Sequence, residues 1–390
     1  MIDFDGRDGL LLVGDSERSS DLYYATKFRA PDPFVFLCTP QKSFLLVGDL
    51  ELDRARAQAQ VDEVLSLTAF DERLKAIDLS NADLSGADLS GGSRQQRALL
   101  MLLNDSSVRS LLVPADFPLE TADLLRRWGI EIEALRAPLF RQRAIKQAPE
   151  LEAIREALRV TDLAMEAALG TLRGADISAD GTLLSGAEVL TSEGLRRIIH
   201  ATLLEGACSG RHTIVACGEQ GCDPHQEGSG PLHANLPIII DIFPQSDETG
   251  YYGDLTRTVV KGRASQELRQ VYDTVKEAQG IALASIRHGE DGGDIHGAVK
   301  KFFIDCGYET GEREGRVQGF FHGTGHGLGL DIHEPPSIGA RRDILQSGQV
   351  VTVEPGLYYS GMGGVRLEDV VLVTDEGCEN LTKSPKQLEL

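Results

Sequence analysis

Four carboxylates stand at the ends of runs that are otherwise strongly apolar, and no other feature limits the fold of this chain so closely. LPIIID ends on Asp241 and GYYGDLTRTVV carries Asp254; VVTVEPG carries Glu354 and RLEDVVLV carries Glu368. Runs such as PIIID and VVLV read as strands of a buried sheet. An unpaired charge in such a sheet costs on the order of several kcal/mol. Taken alone, either aspartate is better explained as a turn cap at a strand end. Arg366 can neutralise one glutamate, but it cannot account for four strand-end carboxylates together. If the strands ending at Asp241 and starting after Asp254 form a hairpin, residues 242–253 return the chain so that both side chains face one point. Carboxylates forced together repel unless a cation sits between them.

A second dense stretch reads GFFHGTGHGLGLDIHEPP, with glycines at 323, 325, 327 and 329. An extended segment of this kind has one edge without side chains, which can lie close to a neighbouring backbone or ligand. It lacks the following helix and acidic residue that a dinucleotide loop requires. His322, His326 and His333 crowd into it, out of nine histidines in the chain, which favours a site over imidazoles satisfied in a core. Four carboxylates and one imidazole suit two divalent cations, with Mn, Co, Fe or Zn favoured over a thiolate-type structural zinc. Two such ions can share a water, lower its pKa and hold it as a hydroxide nucleophile.

A chain of 390 residues exceeds the usual single core, so two domains are expected. The first third alternates strand-like runs at 10–13, 34–37, 44–47 and 111–113 with helix-like segments at 51–67 and 119–128, the pattern of a small α/β domain with buried parallel or mixed strands. Within it, residues 78–92 (DLSNADLSGADLSGG) carry a five-residue period, too short an array for a solenoid and read as a linker or ornamented loop. The polar stretch RAPLFRQRAIKQAPE over 136–150 marks a domain boundary, placed at 142/143. Beyond it, helical periods at 151–169 and 190–203 precede strand-like runs at 213–217, 236–241 and 256–260. Helical periods at 268–286 and 295–303 then precede strand-like runs at 350–354 and 369–373. Two helices followed by strands, twice over, predict a duplicated α/β architecture with a site where the halves meet.

The remaining composition mainly excludes. A net charge of −21 argues against a general nucleic-acid binder, which needs a basic face. No apolar run approaches a membrane span. The first residues, MIDFDGRDG, lack the basic and apolar regions of a secretory signal, so a cytoplasmic location is expected. The six cysteines include one close pair, Cys217 and Cys222, whose gap makes a poor zinc or redox motif; reduced thiols are expected.

GYYGDLTRT, HGTGHGLGLDIHEPP, VTVEPGLYY and GGVRLEDVVLVTDEG resemble the signature segments of the metallopeptidases that include Xaa-Pro aminopeptidase, Xaa-Pro dipeptidase (prolidase) and methionine aminopeptidase. The resemblance covers about residues 143–390 and implies a duplicated pita-bread catalytic domain. SSDLYYATKFRAPDPFVFL resembles a segment of the creatinase/prolidase-type N-terminal domain, implying such a mixed-sheet α/β domain over 1–142 and disfavouring methionine aminopeptidase. The resemblance further implies that Asp241 chelates one metal, that Asp254 and Glu368 bridge two, and that His326 and Glu354 complete the second, with Glu354 also a base for the bridging water. His333 matches a histidine that contacts substrate and stabilises the tetrahedral intermediate; His322 and Arg366 match supporting positions. A further family histidine is expected 16 to 20 residues before the first aspartate; His225 fits this spacing and His233 does not. The implied activity is hydrolysis of Xaa-Pro bonds at peptide N-termini or in dipeptides, by a homodimer acting on peptides. A metal-dependent lyase-like enzyme on the same fold and a metal-free binding module are the alternatives. The stretches DIFPQSDETGYYGD and CDPHQEGSGPLHAN depart from the family pattern next to the expected substrate pocket.

Overall fold

The computed structural model describes residues 4–76, 92–135, 138–313 and 315–390, and they form two compact units, Met1–Arg141 and Gln142–Leu390. Apart from Gly92, the five-residue repeat at 78–92 lies outside the described residues. Among the described residues no helix is long and apolar enough to cross a membrane.

In the first unit, the apolar runs become a six-stranded mixed sheet in the order Glu63–Ser66, Ser43–Val47, Phe34–Cys38, Gly9–Gly14, Ser110–Pro114, Glu131–Leu135. The central pairs Gly9–Gly14 with Phe34–Cys38, and Phe34–Cys38 with Ser43–Val47, are antiparallel, while the three outer pairings are parallel. The single helix expected over 51–67 is instead a helix at Asp49–Gln58, a strand at Glu63–Ser66 and a helix from Leu67 to Ala76. The four residues EVLS are drawn into the sheet by parallel pairing of Val64 and Leu65 with Leu45 and Leu46, a tertiary gain that local periodicity does not carry. The helix Arg94–Asp105 escapes a periodicity reading for the opposite reason. Ala98 to Leu103 are all buried, so no polar stripe marks its period, although Ser93 and Gln96 form a capping box at its start.

The second unit shows the expected repetition. Helices Ala148–Gly174 and Ser192–Glu205 precede an antiparallel sheet of Ile214–Cys217, Ile238–Ile242 and Leu255–Val259, with Ile238–Ile242 in the middle. Helices Gln266–Ser285 and Gly292–Asp305 precede a five-stranded sheet in the order Glu334–Ile338, Gly325–Gly327, Val350–Val353, Asp369–Val373, Cys378–Asn380. Each half packs its own core: Val160, Leu169, Leu195, Ile199, Ile240 and Leu255 in the first, Val271, Val275, Phe303, Val351, Val365 and Val371 in the second.

The halves are stitched at the strand that follows Asp254. The buried Thr258 hydroxyl accepts from the Arg366 amide at 3.0 Å and donates to the Arg366 carbonyl at 2.9 Å, while the Glu368 amide donates to the Thr256 carbonyl at 3.1 Å. Arg257, 2% exposed, points to the opposite face, where it pairs with Asp369 at 2.9 Å and donates to the Ser384 carbonyl at 2.6 Å.

Candidate metal centre

Ladder parity explains why the four carboxylates meet. Asp241 is paired with Thr256 and Ile242 with Leu255, so one further step sets residue 243 opposite Asp254. Side chains alternate faces, so Asp254, two residues before Thr256, shares its face and therefore that of Asp241. In the other half Val353 is paired with Asp369, and one further step sets Glu354 opposite Glu368. His326 joins from the strand Gly325–Gly327, where its amide donates to Thr352 Oγ1 at 3.0 Å. A Cβ on Gly325 would run into the Thr352 carbonyl, so the bare edge foreseen in the glycine-rich stretch is what lets this strand approach.

The result is a compact acidic cluster. Ligand atoms of Asp254, His326 and Glu368 all lie within 4.8 Å of one another. His326 Nε2 is 3.2 Å from Glu354 Oε1 and 3.8 Å from Asp254 Oδ2. Nδ1 of His326 lies 3.1 Å from the Gly327 carbonyl, which can take its proton and leave Nε2 as the free donor atom for a cation. Hydroxyls orient the carboxylates: Thr256 donates to Glu368 Oε2 at 2.7 Å and Thr352 to Glu354 Oε1 at 3.2 Å. Arg366 Nη2 donates to Asp241 Oδ2 at 2.6 Å, and Nη1 donates to the Tyr358 hydroxyl at 2.9 Å. That hydroxyl lies 2.9 Å from His322 Nε2, while His322 Nδ1 faces the Gly323 carbonyl at 2.8 Å.

The electrostatics are those of a cation cradle. Burial, then Glu368, Asp241 and Glu354, hold Asp254 well above the usual carboxylate range. Burial, then Glu354 and Asp241, push Glu368 up to about 8. Burial raises Asp241 as well, against the pull of Arg366. Burial acts upward on Glu354 too, but the hydrogen bond and charge of His326 outweigh it and bring Glu354 down to about 2. His326 responds in kind: burial acts downward, but Glu354 outweighs it and its pKa rises. A proton on Nε2 thus stands where a cation would. One atom has no substitute: Asp241 Oδ1 is buried without a hydrogen-bond partner. An orphan acceptor beside three further carboxylates fits divalent cations, and four negative charges balance two 2+ ions.

All nine residues singled out in the sequence line one cavity of about 1070 Å³: Asp241, Asp254, His326, Glu354 and Glu368 on its floor, with His225, His322, His333 and Arg366 around them. His233 is not on this wall; it bridges to Thr182. The His333 ring meets that of His326 edge-on, with centroids 4.3 Å apart. Both unusual stretches reach the cavity, through Phe243 from one and Asp223, Pro224, His225 and Glu227 from the other. Sequence reasoning missed Thr256, Thr352 and Tyr358. The two threonines had a signal, since each lies two residues from a site carboxylate on a strand and so shares its face. Tyr358 had none, because its role depends on the turn between Gly356–Tyr359 and Gly363–Arg366.

The chain is similar to known peptidases in sequence and in fold. The chain is 31% identical over 255 residues to the Xaa-Pro dipeptidase of Pyrococcus furiosus, covering 63% of this chain and 65% of that one. It is 34% identical over 248 residues to the uncharacterized peptidase YqhT of Bacillus subtilis, covering 63% and 64%. The chain thus spans slightly less than two thirds of the length of these curated relatives. Among solved structures, X-Pro aminopeptidase from Thermotoga maritima superposes with a TM-score of 0.79 at 23% identity, covering 99% of this chain and 98% of that one. The Xaa-Pro dipeptidase from Bacillus anthracis gives 0.79 at 25% identity, covering 99% and 97%. The fold expectation therefore holds: a mixed-sheet α/β unit followed by the duplicated α/β unit that these peptidases share. The model of metallopeptidase family M24 matches residues 152–375, more than half of the chain, and the chain belongs to that family.

Proposed function

We propose that this chain is a dinuclear-metal exopeptidase that hydrolyses Xaa-Pro bonds, at peptide N-termini or in dipeptides. The observation that carries the reading is the convergence of Asp241, Asp254, His326, Glu354 and Glu368, from both halves, around a buried orphan oxygen. Two divalent cations, Mn, Co, Zn or Fe, would neutralise the carboxylates there, polarise a peptide carbonyl and acidify a water. Asp254 and Glu368, one from each half, would serve as the ligands shared by both ions, with Asp241 completing the set of one and His326 and Glu354 that of the other. Glu354, ionised and hydrogen-bonded by Thr352, serves as proton acceptor at its Oε atoms. His225 and His333 face the cavity and supply hydrogen bonds to the charge that develops on the substrate oxygen. Arg366 and Tyr358 hold Asp241 and His322 in place. An Xaa-Pro bond offers no amide proton, so a peptidase that relies on extended backbone pairing loses a contact there. Among the described lining residues the wall presents Ile214, Phe243, Phe321 and Ile332, apolar surface suited to a pyrrolidine ring.

We assign residues 1–142 to the creatinase/prolidase-type N-terminal domain and expect a homodimer, which light scattering after size exclusion tests; a 42 kDa species alone refutes it. The deciding experiment for function compares Xaa-Pro dipeptides with longer Xaa-Pro peptides, with Mn or Co added, alongside metal analysis. Metal-dependent release of the residue before proline supports the proposal, and the length preference separates dipeptidase from aminopeptidase. A metal-loaded protein that cleaves neither substrate set rejects it.

A further inference from the structure

The boundary stretch RQRAIKQ, read from sequence as a polar connection, enters the catalytic unit and stops against the loop that carries His333. Lys146, with 1% of its side chain exposed, sits 2.5 Å from Glu334 Oε1. Arg143 reaches Glu334 Oε2 at 2.8 Å and Asp331 at 2.7 Å. The Lys146 backbone is itself fixed, its amide donating to the Gly348 carbonyl at 2.8 Å and Ile145 bridging to Gln349, just before the strand Val350–Val353 that leads to Glu354. Gly329 leaves room for the arrangement, since a Cβ there would collide with the Glu334 carboxylate.

Stability is a weak explanation for this cluster. A buried ion triad is often no better than apolar side chains of equal volume, because desolvation offsets the attraction. Its geometry has a clearer consequence. Glu334 directly follows His333, and among the described residues none makes a hydrogen bond to the His333 ring, which touches His326 edge-on. The aim of that ring is therefore set by its backbone, and the backbone is held at the next residue by two cations.

We propose that Lys146 and Arg143, clamping both oxygens of Glu334, are positioning residues that aim His333 into the cavity. This rests on the reading above in which His333 contacts substrate. The test is a double-mutant cycle of Lys146→Met with His333→Ala, on manganese-loaded enzyme and an Xaa-Pro peptide, with the His333 imidazole NMR signal followed in metal-free protein. Lys146→Met is expected to lower kcat about tenfold with KM and metal content little changed, as loss of an outer partner of a site residue does. In the His333→Ala background the same change should cost less than about twofold, Lys146→Arg should recover part of the loss, and the imidazole signal should shift or broaden. Equal losses in both backgrounds, or a folded Lys146→Met enzyme with normal kcat and an unmoved signal, overturn the proposal. If Lys146→Met does not fold, Glu334→Gln, which keeps the shape and removes the charge, takes its place with the same expectations. Normal turnover by His333→Ala alone would instead refute the substrate role of His333, and the imidazole signal would then decide the clamp by itself.

Discussion

Asp254 shows how a single residue can be badly placed for folding and well placed for binding. It is held well above its usual pKa by burial among Glu368, Asp241 and Glu354, so the cation-free protein bears the repulsion. Asp254→Asn should therefore melt higher than the native chain in chelator and gain far less on adding Mn, because ligand binding stabilises only the form that binds. Calorimetry with and without metal measures both changes, and a variant that melts lower in chelator contradicts the first. His322 gives a pH-dependent counterpart. Burial pushes it down to about 4, below the ordinary imidazole value of 6.5, so the unfolded chain binds its proton first as pH falls. Its contribution is intact above pH 6.5 and is lost as pH drops towards 4, by up to about 3 kcal/mol. Denaturant titrations from pH 7 to 4 should show a smaller loss for His322→Gln than for the native chain. At this scale much was legible in the sequence, since a carboxylate ending an apolar run has few innocent explanations. Lys146 and Glu334 were not, because they are 188 residues apart and carry no shared period.

The elements were legible where their pattern is clean. The strands Asp369–Val373 and Phe34–Cys38 and the helix Gln266–Ser285 fall within a residue or two of where periodicity puts them. Glu63–Ser66 and Arg94–Asp105 were not, the one because pairing with a neighbour decides it and the other because its central run, Ala98 to Leu103, is buried throughout. The hairpin flanking residues 242–253 could be read, and its two strands do pair, but which strands would meet across the two halves could not. Thr258, whose hydroxyl both donates to and accepts from the Arg366 backbone, illustrates this, since its partner is over 100 residues away. Thr258→Val keeps the shape but leaves a buried amide and carbonyl without partners, at a cost of about 1–3 kcal/mol. Chemical denaturation should show that loss, with weaker metal uptake because Arg366 and Glu368 share the displaced segment. Unchanged stability would mean the stitch contributes nothing.

For the molecule as a whole, a net charge of −21 is matched by the character of the cavity. Asp223, Glu227 and Asp343 stand on its wall, and the one guanidinium among the described lining residues, Arg366, is committed to Asp241. Peptides with lysine or arginine near the scissile bond should be cleaved several-fold faster, in kcat/KM, than those with glutamate, a difference of roughly 1 kcal/mol. The preference should shrink as salt is raised; an enzyme favouring acidic peptides would refute it. The two-residue alternation that brings Asp241 and Asp254 together has a consequence for how such a molecule can change. Their alignment depends on where pairing resumes after the turn and not on how many residues the excursion contains. On the proposed function, changes to that excursion, which carries Phe243 to the cavity, that keep pairing resuming at the same residue should leave the metal ligands aligned while altering which peptides are admitted. A protein engineer, or natural drift, can therefore retune selectivity there without rebuilding the catalyst.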